Sequence, residues 1–394
     1  MRKILFSAAI IFIVCNSFFA QTVPKPDHVV ILMLENYGFS NIIGNSNAPH
    51  INAWANDAKA ALFTQSYALW HPSQPNYIML YSGYNQGVTN DNTASNAPFN
   101  TCNLGASLID NGFTFKGYSE DLPSVGSLVS TSGDYARKHC PWTNWQAPAG
   151  ANTMDSATNL PYTSFPTNTN YDSLPTISFV IPNLAHDMHN PTFPTPNYSV
   201  TAISNGDTWV YDNLNDYVNW AKTNNSLLIL TFDEDDGFNI GGVSTSTNQI
   251  TTIFIGQMVQ GGSYSAHINH YTVLRTLEDM YTLPYCDSSA NYQPIINCWV
   301  DPTGIEKSEK DKSVNLFPNP ASESFTFDFY SNLQQNIKIT VTDLCSKTIV
   351  TINKDVNIGN NSIQFSTEKL IAGTYFVNAI SSEKIVVKKV VVIK

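Results

Sequence analysis

Residues 29–34 read Val-Val-Ile-Leu-Met-Leu, an unbroken apolar run that stops abruptly at Glu35-Asn36. A strand with one wet face alternates apolar and polar residues. A run without alternation is buried on both faces, as in a parallel sheet covered by helices. Less purely apolar runs recur at 176–181, 227–232 and 250–255, and helical periodicity follows at 210–223 and 271–281. This alternation, from about His28 to about Pro302, predicts an α/β domain with a mostly parallel sheet flanked by helices. Ligands of such sheets sit beyond the carboxyl ends of the strands. Glu35, Asn36, Asp233 and Glu234 each closely follow an apolar run and are placed there. The residues between about Gly87 and Ser173 are rich in Asn, Thr, Ser, Pro and aromatics, and are expected to be long insertions around a pocket mouth.

The segment Ser73-Gln74-Pro75-Asn76-Tyr77-Ile78-Met79-Leu80-Tyr81-Ser82-Gly83 reads as a hydroxyl on a turn with a helix behind it. Pro75 suits a first helical turn, where a missing N–H costs nothing. Free N–H groups at such a helix start favour an anion beside the hydroxyl. An ordinary capped helix start gives the same pattern.

Two acidic groups follow strands, at Glu35 and in Asp233-Glu234-Asp235-Asp236-Gly237. Consecutive acids repel unless water or a cation separates them. A solvated loop and a structural calcium loop are the alternatives for the second group, and a helix cap for Glu35-Asn36. Histidines gather in Pro182-Asn183-Leu184-Ala185-His186-Asp187-Met188-His189, at His267 and His270, at His71, and at His139. Several histidines near carboxylates can ligate a metal, bind phosphate or protonate a leaving group.

Charge sharpens this reading. Residues 21–304 carry seven bases (Lys25, Lys59, Lys116, Arg137, Lys138, Lys222 and Arg275) against 22 acids. Such a surface repels nucleic acid, whose non-specific affinity comes from Lys and Arg on phosphates. A domain this acidic that handles phosphate needs positive charge from elsewhere, and a bound metal is the obvious source.

Together these segments resemble the phosphoesterase family of bacterial acid phosphatases and phospholipases C, within the alkaline-phosphatase-like superfamily. The matching residues are Glu35-Asn36, His71-Pro72-Ser73-Gln74-Pro75-Asn76-Tyr77, Asp187-Met188-His189, Gly206-Asp207-Thr208-Trp209, Asp233-Glu234-Asp235-Asp236-Gly237 and His270-Tyr271-Thr272-Val273-Leu274-Arg275-Thr276-Leu277-Glu278. Thr272 replaces the serine of the family pattern. The resemblance implies an alkaline-phosphatase-like fold. It implies a metal held by Glu35, Asn36, Ser73, Asp233 and Glu234, with Ser73 as nucleophile. The catalytic set is then Ser73, His270, His189 and Asp187, with His270 or His189 protonating the leaving alcohol and Asp187 orienting a histidine. Asn76, His139 and His186 are expected to bind the substrate. An all-oxygen ligand set suits Mg, Ca or Mn better than Zn. Asn183 stands near where a second metal site would need an Asp, so one metal is favoured over two.

Composition changes after Gly304. Residues 305–314 are a charged linker, and beyond them period-two stretches predict a small C-terminal β-sandwich. Leu316-Phe317-Pro318-Asn319-Pro320, Gly373-Thr374-Tyr375-Phe376 and Lys388-Lys389-Val390-Val391 resemble the sorting domain of type IX secretion, over about 315–394. At the other end, Arg2-Lys3 and an apolar run to Cys15 read as a signal peptide of residues 1–20. No other segment reaches membrane-spanning length. The expected partitions are 1–20, a catalytic domain at 21–304, the linker, and a sorting domain at 315–394. Cysteines exported to an oxidising compartment can pair, and the expected pairs are Cys286 with Cys298 and Cys102 with Cys140.

The expected protein is a secreted or surface-held acid phosphatase, exported through the periplasm, with a small phosphorylated substrate and a phosphoserine intermediate. A phosphodiesterase of phospholipase C type is the near alternative, and a calcium-stabilised surface binding protein the alternative of another class.

Overall fold

Nine strands build the main sheet. In chain order they are β1 (His28–Leu34), β2 (Ala60–Tyr67), β3 (Phe115–Ser119), β4 (Asn159–Pro161), β5 (Ile177–Ile181), β6 (Ser226–Phe232), β7 (Gln249–Gly256), β8 (Gly262–Tyr264) and β9 (Ile268–Asn269). The computed structural model describes residues 23–167, 170–189, 199–237, 239–240, 243–244, 247–300, 315–331, 333–344, 347–380 and 385–394. The expected signal peptide, the expected linker and Cys345 lie outside the described residues. The chain divides into two compact units, Met1–Val300 and Asp301–Lys394.

Across the sheet the order is β8-β2-β7-β6-β1-β5-β3-β4, with β9 also pairing β2. β1 lies between β6 and β5 and is parallel to both, with Leu34 opposite Phe232 and Val29 opposite Ile177. β7 alone among these strands runs against its neighbours, β2 and β6. The apolar run of β1 divides by parity, as a pleated strand must. Val29, Ile31 and Met33 enter one core, while Val30, Leu32 and Leu34 enter another on the opposite face. Helices α3 (Ser73–Ser82), α4 (Leu104–Asp110) and α6 (His270–Tyr281) supply the first core, and α2 (Pro49–Ala55) and α5 (Val200–Ala221) the second. The result is the expected mostly parallel sheet with helices on both faces.

Local sequence explains where these elements start and stop. α5 begins at Val200, well before the expected 210, because the Ser199 hydroxyl accepts from Ala202 N at 3.2 Å and caps it. Asn269 and Thr272 form a reciprocal capping box at the start of α6. α3 ends at Gly83 in the left-handed region, φ 73°, and a side chain there would strike the Cys286 carbonyl. β3 falls within the stretch expected to be insertion only. Its sequence Phe-Lys-Gly-Tyr-Ser carries no apolar run, because Gly117 leaves room for the Trp142 ring.

The cysteine expectation is overturned. Cys102 pairs with Cys286, while Cys140 and Cys298 are buried free thiols. Nearness along the chain misled here. The segment after α6 returns to α4, whereas Cys140 faces the Ser119 hydroxyl at 3.1 Å.

In the second unit, Asn315–Phe317, Ser324–Ser331 and Gly359–Ser366 form one antiparallel sheet. Thr348–Val356, Gln335–Thr342, Gly373–Ile380 and Ile385–Val392 form another. Alternate residues of both, including Phe325, Phe327, Ile339, Val341, Phe365, Val377 and Val390, share one core. This is the expected β-sandwich.

Candidate active site

The parity of β1 carries through its end. Glu35 continues the Val29-Ile31-Met33 side and therefore faces α3. Its backbone extends the sheet: Glu35 N donates to Asp187 O at 2.8 Å, and Asp233 N donates to Leu34 O at 3.0 Å. The ends of β1 and β6 and the loop after β5 thus bring Glu35, Asp233 and Asp187 together. Asn36 follows with φ 50°, and Met188 has φ 76°. Asn tolerates that left-handed region, whereas a thioether side chain there is strained, a feature that concentrates at functional sites.

Ser73 occupies the first turn of α3, buried, with its hydroxyl 3.0 Å from Glu35 Oε2 and 3.1 Å from Glu234 Oε1. One helical turn on, the Tyr77 hydroxyl donates to Glu35 Oε1 at 2.6 Å. Asn36 donates from Nδ2 to Glu234 Oε1 at 3.0 Å and from its backbone N to Asp233 Oδ1 at 3.0 Å. The five expected metal-binding residues are thus one hydrogen-bonded group. Asp233, Glu234 and Asp235 are all buried, so this run is no solvated loop.

The histidines divide. His139 Nε2 lies 3.2 Å from Glu35 Oε1 and its Nδ1 3.6 Å from Asp187 Oδ2, with its ring stacked on Tyr77. It is buried, and burial lowers it to about 4 against the pull of Glu35. His139 thus lies against Glu35 and Asp187 in the same buried group. His270 Nε2 is 2.9 Å from the Phe232 carbonyl, so that nitrogen carries the proton and Nδ1 is a bare, partnerless lone pair. Burial keeps it neutral, at about 4. In this arrangement His270 offers an acceptor at Nδ1 rather than a donor. His189 is partly exposed, and its backbone N donates to Asp187 Oδ1 at 2.7 Å.

Two expected substrate contacts are corrected. Asn76 is fully buried. Its Oδ1 accepts from Leu69 N and Trp70 N at 3.1 and 2.9 Å, and its Nδ2 donates to Trp70 O at 2.9 Å. It clamps the loop before Ser73. His186 Nδ1 pairs with both Glu120 oxygens at 3.0 Å, and Trp209 Nε1 donates to the same carboxylate at 3.0 Å, which makes a separate cluster. In the Gly206-Asp207-Thr208-Trp209 motif, the Asp207 carboxylate caps α2 by accepting from His50 N and Ile51 N at 3.0 and 2.8 Å. A side chain at Gly206 would strike Met188.

Sequence reasoning named His71 among the gathered histidines without giving it a role, and passed over Tyr77. His71 Nδ1 is 2.7 Å from Glu234 Oε2, and its Nε2 is 3.3 Å from Asp235 Oδ1. Burial alone would lower it, yet the two carboxylates raise it to about 9, so it is an imidazolium. Tyr77 had a readable signal, because it stands at i+4 from Ser73.

The carboxylates feel one another. Burial lifts Asp233 and Asp187 well above the ordinary range, with the Glu35 charge adding to it. Burial also lifts Glu234, to about 7, despite His71. Burial would raise Glu35 too, but His139, Lys138, His189 and the Tyr77 hydroxyl together bring it below the usual carboxylate range. Crowded buried acids of this kind suit a cation. Asn36 Oδ1 and Asp233 Oδ2 are buried oxygens without hydrogen-bond partners, so the donor chemistry fits a hard divalent ion. Among the described residues, no three His, Cys, Asp or Glu side chains are already gathered around a metal position.

A family model described as the phosphoesterase family matches residues 50–284, and one described as a secretion system C-terminal sorting domain matches residues 315–394. The chain is 43% identical over 282 residues to a phosphatidylinositol-3-phosphatase of Mycobacterium tuberculosis, covering 72% of this chain and 86% of that protein. It is 26% identical over 312 residues to an acid phosphatase of Aspergillus fumigatus, covering 73% of this chain and 63% of that protein. A solved structure of a protein in the alkaline phosphatase superfamily from Vibrio parahaemolyticus is similar at a TM-score of 0.47 and 12% identity, covering 86% of this chain and 84% of that one.

Proposed function

The chain belongs to the phosphoesterase family, and on that premise we propose that it is a metal-dependent acid phosphatase that works through a phosphorylated Ser73. The observation that carries the reading is the Ser73 hydroxyl, held in the first turn of α3 between Glu35 and Glu234.

Ser73 Oγ attacks phosphorus in line, forming an O–P bond as the ester oxygen departs, and its proton passes to a flanking carboxylate. Tyr77 and His139 fix Glu35, and His71 fixes Glu234, so the hydroxyl keeps one direction. His189, on the open side, protonates the leaving alkoxide. Water then cleaves the phosphoserine and releases phosphate. A divalent ion bound by Glu35, Asn36, Ser73, Asp233 and Glu234 would neutralise their charge and polarise the phosphoryl oxygens. One such ion, of the Mg, Ca or Mn type, accounts for the ligand set, since Asn183 is bonded to Asp121 and Ala185.

The C-terminal unit is a secretion system sorting domain. We take it to carry the enzyme through the periplasm to the cell surface or medium, after removal of residues 1–20. No helix among the described residues is long and apolar enough to cross a membrane. A phosphorylated inositol lipid is a second substrate reading, favoured by the Mycobacterium tuberculosis relative.

The test is turnover of a chromogenic phosphomonoester against a choline phosphodiester, each with and without chelator. Chelator-sensitive monoester hydrolysis is expected. Preference for the diester would move the chain to the phospholipase C branch, and full activity in chelator would remove the metal.

A further inference from the structure

Beside the nucleophile lies a cleft of about 150 Å³, lined by Gln74, Asp91, Arg137, Lys138, Asn144 and Thr131 among others. Gln74 follows Ser73 in the chain, and Lys138 lies near enough to Glu35 to feel its charge, so the cleft lies close to the Ser73 group. The Asp91 carboxylate links its two walls, accepting from Gln74 N at 3.0 Å and from Lys138 Nζ at 2.7 Å.

The lining is unusual for so acidic a unit. Of the seven bases in residues 21–304, two stand here, side by side. Burial would lower Lys138, yet Glu35 and Asp91 raise it, so it stays charged. Arg137 is only partly exposed. Its guanidinium donates to Thr143 Oγ1, Thr143 O and Leu128 O at 3.1, 3.3 and 3.2 Å, and no carboxylate pairs with it among the described residues. Asn144 is 2% exposed, and its amide nitrogen has no hydrogen-bond partner. A buried donor without an acceptor is costly in a folded protein. Two cations line the cleft, Lys138 paired with Asp91 and Arg137 held by Thr143 and the Leu128 carbonyl, and an unsatisfied donor joins them.

We infer that this cleft is a subsite for a second phosphate group on the substrate, so that the enzyme prefers bisphosphorylated small molecules to simple monoesters. The inference rests on the phosphatase reading of Ser73. With the reacting phosphoryl group at Ser73, the second phosphate lies in the cleft, where Lys138 turns from Asp91 towards it. Arg137 adds charge from the wall, and Asn144 Nδ2 gains its missing acceptor. Charge-assisted hydrogen bonds of this kind are the strong ones.

The test compares kcat/KM for fructose 1,6-bisphosphate, fructose 6-phosphate and 4-nitrophenyl phosphate in the full-length enzyme. A preference of ~10-fold or more for the bisphosphate over the monophosphate is expected, about one strong contact. Lys138→Gln should bring that ratio to within about twofold of unity. Thr131→Glu places a carboxylate at an exposed position of the cleft and leaves the buried donors alone, and it should depress the bisphosphate selectively. Equal use of both sugars by the wild type, or a ratio unchanged in both variants, overturns the subsite while the phosphatase reading stands. No turnover of any of the three substrates overturns both.

Discussion

Tyr77 and Ser73 donate to opposite oxygens of one carboxylate, Glu35, at 2.6 and 3.0 Å. The tyrosine hydroxyl thus sets the face that Glu35 presents to Ser73. Tyr77→Phe keeps the ring stacked on His139 and removes only that donor. Loss of one hydrogen bond to a charged group is worth ~1.5–3 kcal/mol, so kcat should fall about tenfold or more. The thermal midpoint should move little. A variant with unchanged kcat would show that Glu35 is oriented by other contacts.

Ser73→Ala should abolish turnover and leave the fold intact, because the hydroxyl is held by side chains and not by the helix backbone. Loss of a nucleophile costs several orders of magnitude. More than roughly a tenth of wild-type kcat would remove Ser73 from that role. Mass analysis of enzyme quenched during turnover should place the phosphate on the peptide containing Ser73.

Asp233→Asn should weaken binding of a divalent ion and lower the thermal midpoint gained on adding it. The basis is the partnerless Asp233 Oδ2 amid crowded acids. An ion that binds only the folded state stabilises it by mass action. Metal analysis of active, dialysed enzyme that found no stoichiometric ion would defeat this expectation.

Glu278 offers a pH prediction away from the residues proposed to bind a metal. Its Oε1 accepts from Cys286 N at 2.8 Å, and its Oε2 is 2.7 Å from the Ser289 hydroxyl, which also reaches Cys286 O at 2.9 Å. Burial raises it from 4.5 to about 7, with Ser289 and Cys286 opposing. A folded-state value above the unfolded one means the folded protein holds the proton more tightly. The stability from this group is complete below about pH 4.5 and is lost as pH rises through about 7. Glu278→Gln should therefore flatten part of the fall in thermal midpoint between pH 5 and pH 8, by a few kcal/mol at most at ~1.4 kcal/mol per pH unit. An identical slope in both proteins would refute the assignment.

The β1 run made the central strand legible, since an apolar stretch with no alternation has few places to go. The gathering of Ser73, Glu35, Asn36, Asp233 and Glu234 was legible because motif order and strand ends coincide. The histidines were not. Whether a ring carries a usable proton depends on partners such as the Phe232 carbonyl at His270, and these are set by packing across the sheet. His71 gained its charge from two carboxylates 163 and 164 residues away in sequence, at Glu234 and Asp235. Asn76 has the residue type of a phosphate ligand, but both ends of its amide meet backbone. The Cys102–Cys286 link, 184 residues apart, could not be read from spacing.

The second unit has its own core and should be dispensable for chemistry. A chain ending near Gly304 should keep its kcat and fail to reach the surface or medium of a host with type IX secretion. Folded but inactive protein would show that the sandwich contributes to catalysis. Normal export would remove the sorting role.

The parity of β1 has an evolutionary consequence. Val29, Ile31, Met33 and Glu35 face α3, while Val30, Leu32 and Leu34 face α5. A single-residue insertion or deletion within the strand would exchange both cores and turn Glu35 away from Ser73 in one event. Substitutions at each position are tolerable separately, but that length change is not. Descendants of this chain should therefore vary the letters between His28 and Asn36 while their number stays fixed, and gaps in aligned relatives should fall in the loops on either side.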